Sequence, residues 1–234
     1  MADEKWLSDS RPERFQWSDG DVEWRGEAGE TLTVAGACSM QGLGDRPMCV
    51  SGGADGSDSQ FGMCAGSAGH TVFHFCFDGH RTEVPESERV YLKADQLAEA
   101  DPYLERANQT LGRRFPAAST YTNNLLRRNY FQQRDSGSMY AVVEGFDAQN
   151  RPLGGTAWAL QMFIDRHEGE ACAAYVFDQS SDRWMTWTDQ GWAPITAPPK
   201  PTGVWAGIGT RAKGLKPSGK TAIRTLLDYK GIQT

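Results

Sequence analysis

The chain has 234 residues, of which 39% are hydrophobic and 23% charged, enough apolar material for a core and too much for a disordered chain. Its 26 glycines and 11 prolines follow no period, which excludes a collagen-like repeat and a low-complexity chain. A formal net charge of −6 argues against a surface built to wrap nucleic acid, and no window nears the ~20 apolar residues of a membrane span.

Residues 1–46 are polar, tryptophan-bearing and turn-rich. Met1 to Asp9 has no apolar signal core. Phe15 to Trp24 carries aromatic residues on both sides of Ser-Asp-Gly-Asp, the pattern of a hairpin, and Glu30 to Cys38 reads as another strand. This segment is expected to be a small N-terminal β decoration. Cys38, Cys49, Cys64, Cys76 and Cys172 form no CxxC pair, so neither a disulfide framework nor a structural zinc site is expected, and the thiols suit a cytoplasmic chain.

Residues 47–234 read as one α/β domain. Met48 to Val50 is a short apolar strand, stopped by Ser51-Gly52-Gly53. Asp55 to Ala65 is a helix closed by Gly66 and Gly69, and His70 to Phe77 a β-branched and aromatic strand. Ala94 to Leu111 is helical, with Pro102 as a break, and Ser119 N-caps a helix reaching Arg134. Met139 to Val143 is a strand, Thr156 to Arg166 a helix, and Ala171 to Phe177 a strand. Residues 183–195 place three tryptophans around Asp189-Gln190-Gly191, a second hairpin. Gly203 to Ala206 is the last strand, Gly207-Ile208-Gly209 a loop, and Ser218 to Tyr229 a closing helix. Short apolar strands alternating with helices predict a mostly parallel sheet covered on both faces.

Three glycine turns follow strands or lead into helices: Ser51 to Gly56, Gly154-Gly155-Thr156, and Gly207 to Arg211. In a parallel sheet such turns share the carboxyl edge, where α/β folds bind ligands. Glycine lets backbone N–H groups approach an anion, and a helix N-terminus adds its dipole. The candidate phosphate contacts are therefore Ser51, Gly52, Gly53, Gly154, Gly155, Thr156, Gly207, Gly209, Thr210 and Arg211. From Arg106 to Arg134 there are six arginines and no acid. Asn124 and Arg128 lie four apart on that helix and share a face, and Arg127 is beside them. Asn124, Arg127 and Arg128 join the candidate ligand set, because arginine suits phosphate and asparagine suits base edges. Asp55 and Asp58 are the nearest carboxylates, at a helix opening, and are the candidate catalytic or ribose-contacting acids.

Ser51-Gly52-Gly53-Ala54-Asp55-Gly56, Gly154-Gly155-Thr156 and Ala206-Gly207-Ile208-Gly209-Thr210-Arg211 together resemble the SLOG superfamily, which includes DprA, YpsA-type proteins and the "lonely guy" phosphoribohydrolases. The stretches from Thr110 to Pro116 and from Tyr121 to Asn129 resemble its uncharacterised, often phage-encoded members. The resemblance implies a Rossmann-like fold, a nucleotide-type ligand and a homodimer. In the superfamily the Gly-Ile-Gly-Thr-Arg strand usually comes first, and here it comes last. A circular permutation is implied, with the last strand inserted between the strands at 48–50 and 139–143. Phosphoribohydrolases of the group carry a glutamate soon after the Gly-Gly turn, whereas Gln161 stands in that region here and cannot act as a general base.

The expected function is binding of a nucleotide or nucleotide-derived molecule, with hydrolysis of its N-glycosidic bond as the enzymatic reading. The alternatives are a sensor or sponge of a nucleotide signal in a phage–host conflict, and DprA-like binding of single-stranded DNA. A further motif, Gly214 to Thr221, has the spacing GxxxxGK[ST] of a P-loop, with Lys220 as its lysine, but it does not leave a strand directly and no Walker B strand follows. His74, Cys76 and Asp78 alternate on one side of a strand, which buries rather than exposes a metal set, so no metal or cofactor is expected.

Overall fold

A computed structural model describes residues 46–230, together with the backbone of three N-terminal strands. These strands, β1 (Arg14–Ser18), β2 (Asp21–Arg25) and β3 (Thr31–Val34), form an antiparallel sheet in that order. Phe15 pairs with Trp24 and Ser18 with Asp21, the register of the expected hairpin. The segment Met1 to Asp9, Cys38 and the other residues of 1–45 beyond these three strands lie outside the described residues, as do 231–234.

The main sheet begins with β4 (Met48–Ser51), followed by α1 (Ser57–Ser67), β5 (Thr71–Phe77) and β6 (Arg89–Leu92). Next come α2 (Ala94–Ala98), α3 (Asp101–Leu111), α4 (Thr120–Arg134), β7 (Ser138–Val143) and α5 (Thr156–Arg166). The chain closes with β8 (Ala174–Asp178), β9 (Arg183–Thr188), β10 (Gly191–Ile195), β11 (Val204–Gly209) and α6 (Pro217–Leu226). The eight strands run in the order β10-β9-β8-β7-β11-β4-β5-β6. Those from β8 to β6 are parallel, and β9 and β10 fold back antiparallel at one edge.

The last strand is central. β11 pairs with β4 on one side and β7 on the other, the arrangement implied by a circularly permuted Rossmann-like order. Two differences from the sequence reading have simple causes. β6 shows only Val90 and Leu92 as buried residues in a four-residue edge strand, too short a pattern to stand out. Gly207, Ile208 and Gly209 belong to β11 rather than to a loop. Their glycines are there for packing: a Cβ on Gly207 would sit 2.7 Å from Phe61 of α1, and one on Gly209 would sit 2.6 Å from Ser57. Without side chains at these two positions, α1 presses directly onto the central strand.

Alternate residues of β11 feed two cores. Val204, Ala206 and Ile208 join the larger one, beneath α2–α5, whereas Trp205 joins Phe61, Cys64, Ile223 and Leu226 beneath α1 and α6. The crossover from β4 through α1 to β5 runs one way along the sheet, and that from β7 through α5 to β8 runs the other. Right-handed crossovers in opposite directions put their helices on opposite faces. They leave an open cleft at the carboxyl ends of β4, β11 and β7.

Candidate functional site

At that edge lies a crevice of about 750 Å³. The turn after β4 and the start of α1 contribute Asp55 and Asp58. The segment after β5 contributes Arg81, and α4 contributes Tyr121, Leu125, Arg128 and Asn129. The turn after β7 supplies Glu144 and Leu153 and leads into Gly154, Gly155 and Thr156, while the end of β11 supplies Gly209 and the turn after it Thr210 to Gly214.

α5 enters this crevice uncapped. Gly155 is its N-cap, and among the described residues no side chain caps it. A Cβ on Gly154 or Gly155 would meet nothing within 4 Å, and Gly154 has a φ of +77°, which favours glycine. The N-terminus of α1 is partly filled by contrast: the N–H of Ser57 donates to the carbonyl of Thr210 at 3.0 Å, and the N–H of Gly56 donates to Ser59 Oγ at 3.2 Å.

Asp58 and Arg128 form a buried pair. Arg128 Nη2 donates to Asp58 Oδ2 at 3.2 Å, and the N–H of Gly209 donates to Asp58 Oδ1 at 3.0 Å. Arg128 also donates to the carbonyl of Gly52. Burial pushes the Asp58 carboxyl up against the pull of Arg128 and the Gly209 N–H, and burial pulls the Arg128 guanidinium down. His80 lies 3.1 Å from Arg128 Nη1. Burial first, then the charge of Arg128, holds His80 down to about 3, so it is neutral at pH 7 and its Nε2 accepts from the guanidinium. His74 is pushed to about 3 by burial and by the neighbouring Arg128 and Arg89. It therefore faces Glu88, 3.6 Å away, as a neutral ring rather than as half of an ion pair.

The crevice brings together Asp55, Asp58, Arg128, Gly154, Gly155, Thr156, Gly209, Thr210 and Arg211 of the residues expected from sequence. The other expected residues are not among those lining it. Ser51 is buried and donates to the carbonyl of Gly207 at 2.6 Å, tying β4 to β11. Gly52 leaves room for the Arg128 guanidinium, which a Cβ there would strike, and Gly53 has a φ of +62°. Gly207 lies beneath Phe61. Asn124 is half-buried on α4 outside the lining. Arg127 points elsewhere, to a bidentate pair with Asp101 at 2.7 Å.

Sequence reasoning missed Arg81, Tyr121, Asn129, Glu144 and Lys213. Glu144 had a usable signal, since it is the first residue after an apolar strand. The Arg211 side chain is exposed and donates no hydrogen bond among the described residues. The Arg81 guanidinium lies over the Tyr121 ring, 5.9 Å from its centre. Lys220 of the P-loop-like segment is exposed on α6 and does not line the crevice. Among the described residues no cluster of three or more His, Cys, Asp or Glu could hold a metal ion, and no helix is long and apolar enough to cross a membrane. Compared with protein-family models, curated proteins and solved structures, the chain matches none.

Proposed function

We propose that the crevice binds a nucleotide or nucleotide-derived small molecule. The observation that carries this reading is the uncapped N-terminus of α5, opening at Gly154 and Gly155 into a cleft that also holds Arg81, Arg211 and Lys213. N–H groups at a helix start and cations that make no ion pair among the described residues favour a phosphate. Tyr121, Leu125 and Leu126 offer an apolar surface beside them, suited to a base. The SLOG-like motifs support the same ligand class, and a cytoplasmic homodimer is the assembly they imply.

Native mass spectrometry of the purified protein, followed by calorimetry with a nucleotide panel, tests the reading. Arg211→Ala is expected to weaken binding of the preferred nucleotide roughly tenfold or more, the size of one charge-assisted hydrogen bond. Equal affinity of wild type and variant for every nucleotide tried would remove Arg211 from the site.

A second reading, a sensor or sponge that leaves its ligand intact, is favoured by one observation. Gln161 occupies the region where phosphoribohydrolases carry their glutamate, and its amide donates to Asp165 at 2.7 Å, outside the crevice. Ligand recovered whole after denaturation supports the sensor, and released base supports the hydrolase.

A further inference from the structure

The charge of the chain is divided unevenly. Residues 1–45 hold ten acidic and four basic residues, which accounts for the net charge of −6, and residues 46–234 hold twenty of each. Basic residues then gather at the C-terminal end. From Lys200 to Lys230 there are seven, against the single acid Asp228, which Lys200 engages at 2.7 Å.

Arg211 and Lys213 belong to the crevice, whereas Lys216, Lys220 and Arg224 do not line it. Lys220 is the lysine of the P-loop-like spacing. The three stand four apart from the N-cap of α6 onward and form one exposed stripe, opposite the buried Gly219, Ala222, Ile223 and Leu226. None of them makes an ion pair among the described residues. Lys216 Nζ donates to the carbonyl of Gln179 at 3.1 Å, and the Arg224 guanidinium lies over the Tyr229 ring. α1 packs beside α6, and its one acid, Asp58, is buried against Arg128. Like charges four apart destabilise a helix, so this run suits a face that an anionic surface covers.

The chain brings such a surface to the edge where α6 ends. It enters the body at the amino ends of β5 and β11: the Pro47 carbonyl accepts from the Thr71 N–H at 3.0 Å, and the Met48 N–H donates to the Gly203 carbonyl at 2.8 Å. Lys200, just before Gly203, donates to the carbonyls of Thr225 and Leu226, which puts the end of α6 at the same edge. The ten residues of α6 span about 15 Å. Residues 35–45, which join β3 to the body, reach at most about 40 Å when extended. The length of α6 is therefore within reach of the acidic segment.

We propose that residues 1–45 dock through their acids on the Lys216, Lys220 and Arg224 face of α6 in the same chain. The proposal is independent of the nucleotide reading. The contact is one of opposite charges at the surface, so it weakens with salt. While docked, the segment keeps external polyanions off this face.

The test uses the full chain as an equal mixture of unlabelled and ¹⁵N-labelled protein, treated with a carbodiimide that joins touching carboxylates and lysine amines. Linked peptides are mapped by mass spectrometry, with Lys200 to Asp228 as the internal control. Links from acids of residues 1–45 to Lys216 or Lys220 are expected within one isotope at about 20 mM NaCl. They are expected to fall at least about fivefold at about 500 mM, where the screening length is roughly 4 Å. Links that mix the isotopes give the face to a second copy and overturn the proposal. A linked control with no link from residues 1–45 to α6 also overturns it and leaves the face to an external polyanion. The triple variant Lys216→Gln, Lys220→Gln and Arg224→Gln gives a readout without cross-linking. Tryptic cleavage after Arg11, Arg14 and Arg25 is expected to run roughly fivefold or more faster than in wild type at an unchanged melting temperature, because an undocked segment is open to the protease. Equal rates overturn the docking.

Discussion

Arg128 and Asp58 have 4% and 3% of their side chains exposed, and their position explains why neither is simply a ligand group. A buried ion pair returns little net stability, because the loss of water offsets the attraction. Removing one partner is a different matter, since it leaves the other charged and dry. Asp58→Asn is therefore expected to destabilise the fold by about 3 kcal/mol, read as a shift of the urea midpoint, and to loosen the Gly52 and Gly209 turns that the pair clamps. An unchanged midpoint would mean that Arg128 finds another partner. The arginine-rich stretch of α4 was legible in the sequence as a local excess of charge, but its use was not. Asp58 lies 70 positions from Arg128, and Asp101 lies 26 from Arg127. A helical spacing rule sees only residues three or four apart, so it groups Asn124, Arg127 and Arg128 by shared stretch when folding sends the two arginines to different acids.

At the scale of elements the sequence was more informative. Short apolar runs marked β4, β5, β7 and β8, Ser119 marked the start of α4, and the displaced Gly-Ile-Gly strand marked the permutation. The same glycines misled about the site. Gly52, Gly207 and Gly209 are small because Arg128, Phe61 and Ser57 occupy the space a side chain would need. Of the glycines expected in the site, Gly154 and Gly155 are the ones that face open space, and composition cannot separate a packing glycine from a binding one. This distinction gives a test at α5. Gly155 has an ordinary φ of −68° and room for a side chain, so Gly155→Asp places a carboxylate on the bare N–H groups. The cap and the dipole favour it by a few tenths to about 1 kcal/mol. The melting temperature is expected to hold or rise, while affinity for a 5′-monophosphate falls roughly tenfold or more, because the new anion takes the donors and repels the old one. Unchanged affinity in a folded variant would place the phosphate elsewhere in the crevice.

Across the whole molecule, charge decides between a small anion and a polymer. The chain carries a net charge of −6, yet Arg81, Arg128, Arg211 and Lys213 meet Asp55, Asp58 and Glu144 in the crevice, a local excess of one positive charge. At ordinary ionic strength charges beyond about 8–10 Å are screened, so a mononucleotide inside the cleft feels the local cations more than the distant charges of the chain. A DprA-like polymer binder making 6–10 phosphate contacts would lose roughly 10³–10⁵-fold in affinity between 50 and 200 mM salt. The affinity of this chain for a 5′-monophosphate is instead expected to change by less than about tenfold over that range, because only one or two phosphate charges are neutralised. Calorimetry at 50 and 200 mM NaCl with the preferred monophosphate, beside a fluorescent single strand of about 30 nucleotides under the same conditions, separates the two. Tight binding of the strand at low salt with a steep loss on adding NaCl would overturn the small-ligand reading. It would also show that the arginines of residues 106–134, several of them committed to internal pairs here, rearrange to meet a polymer.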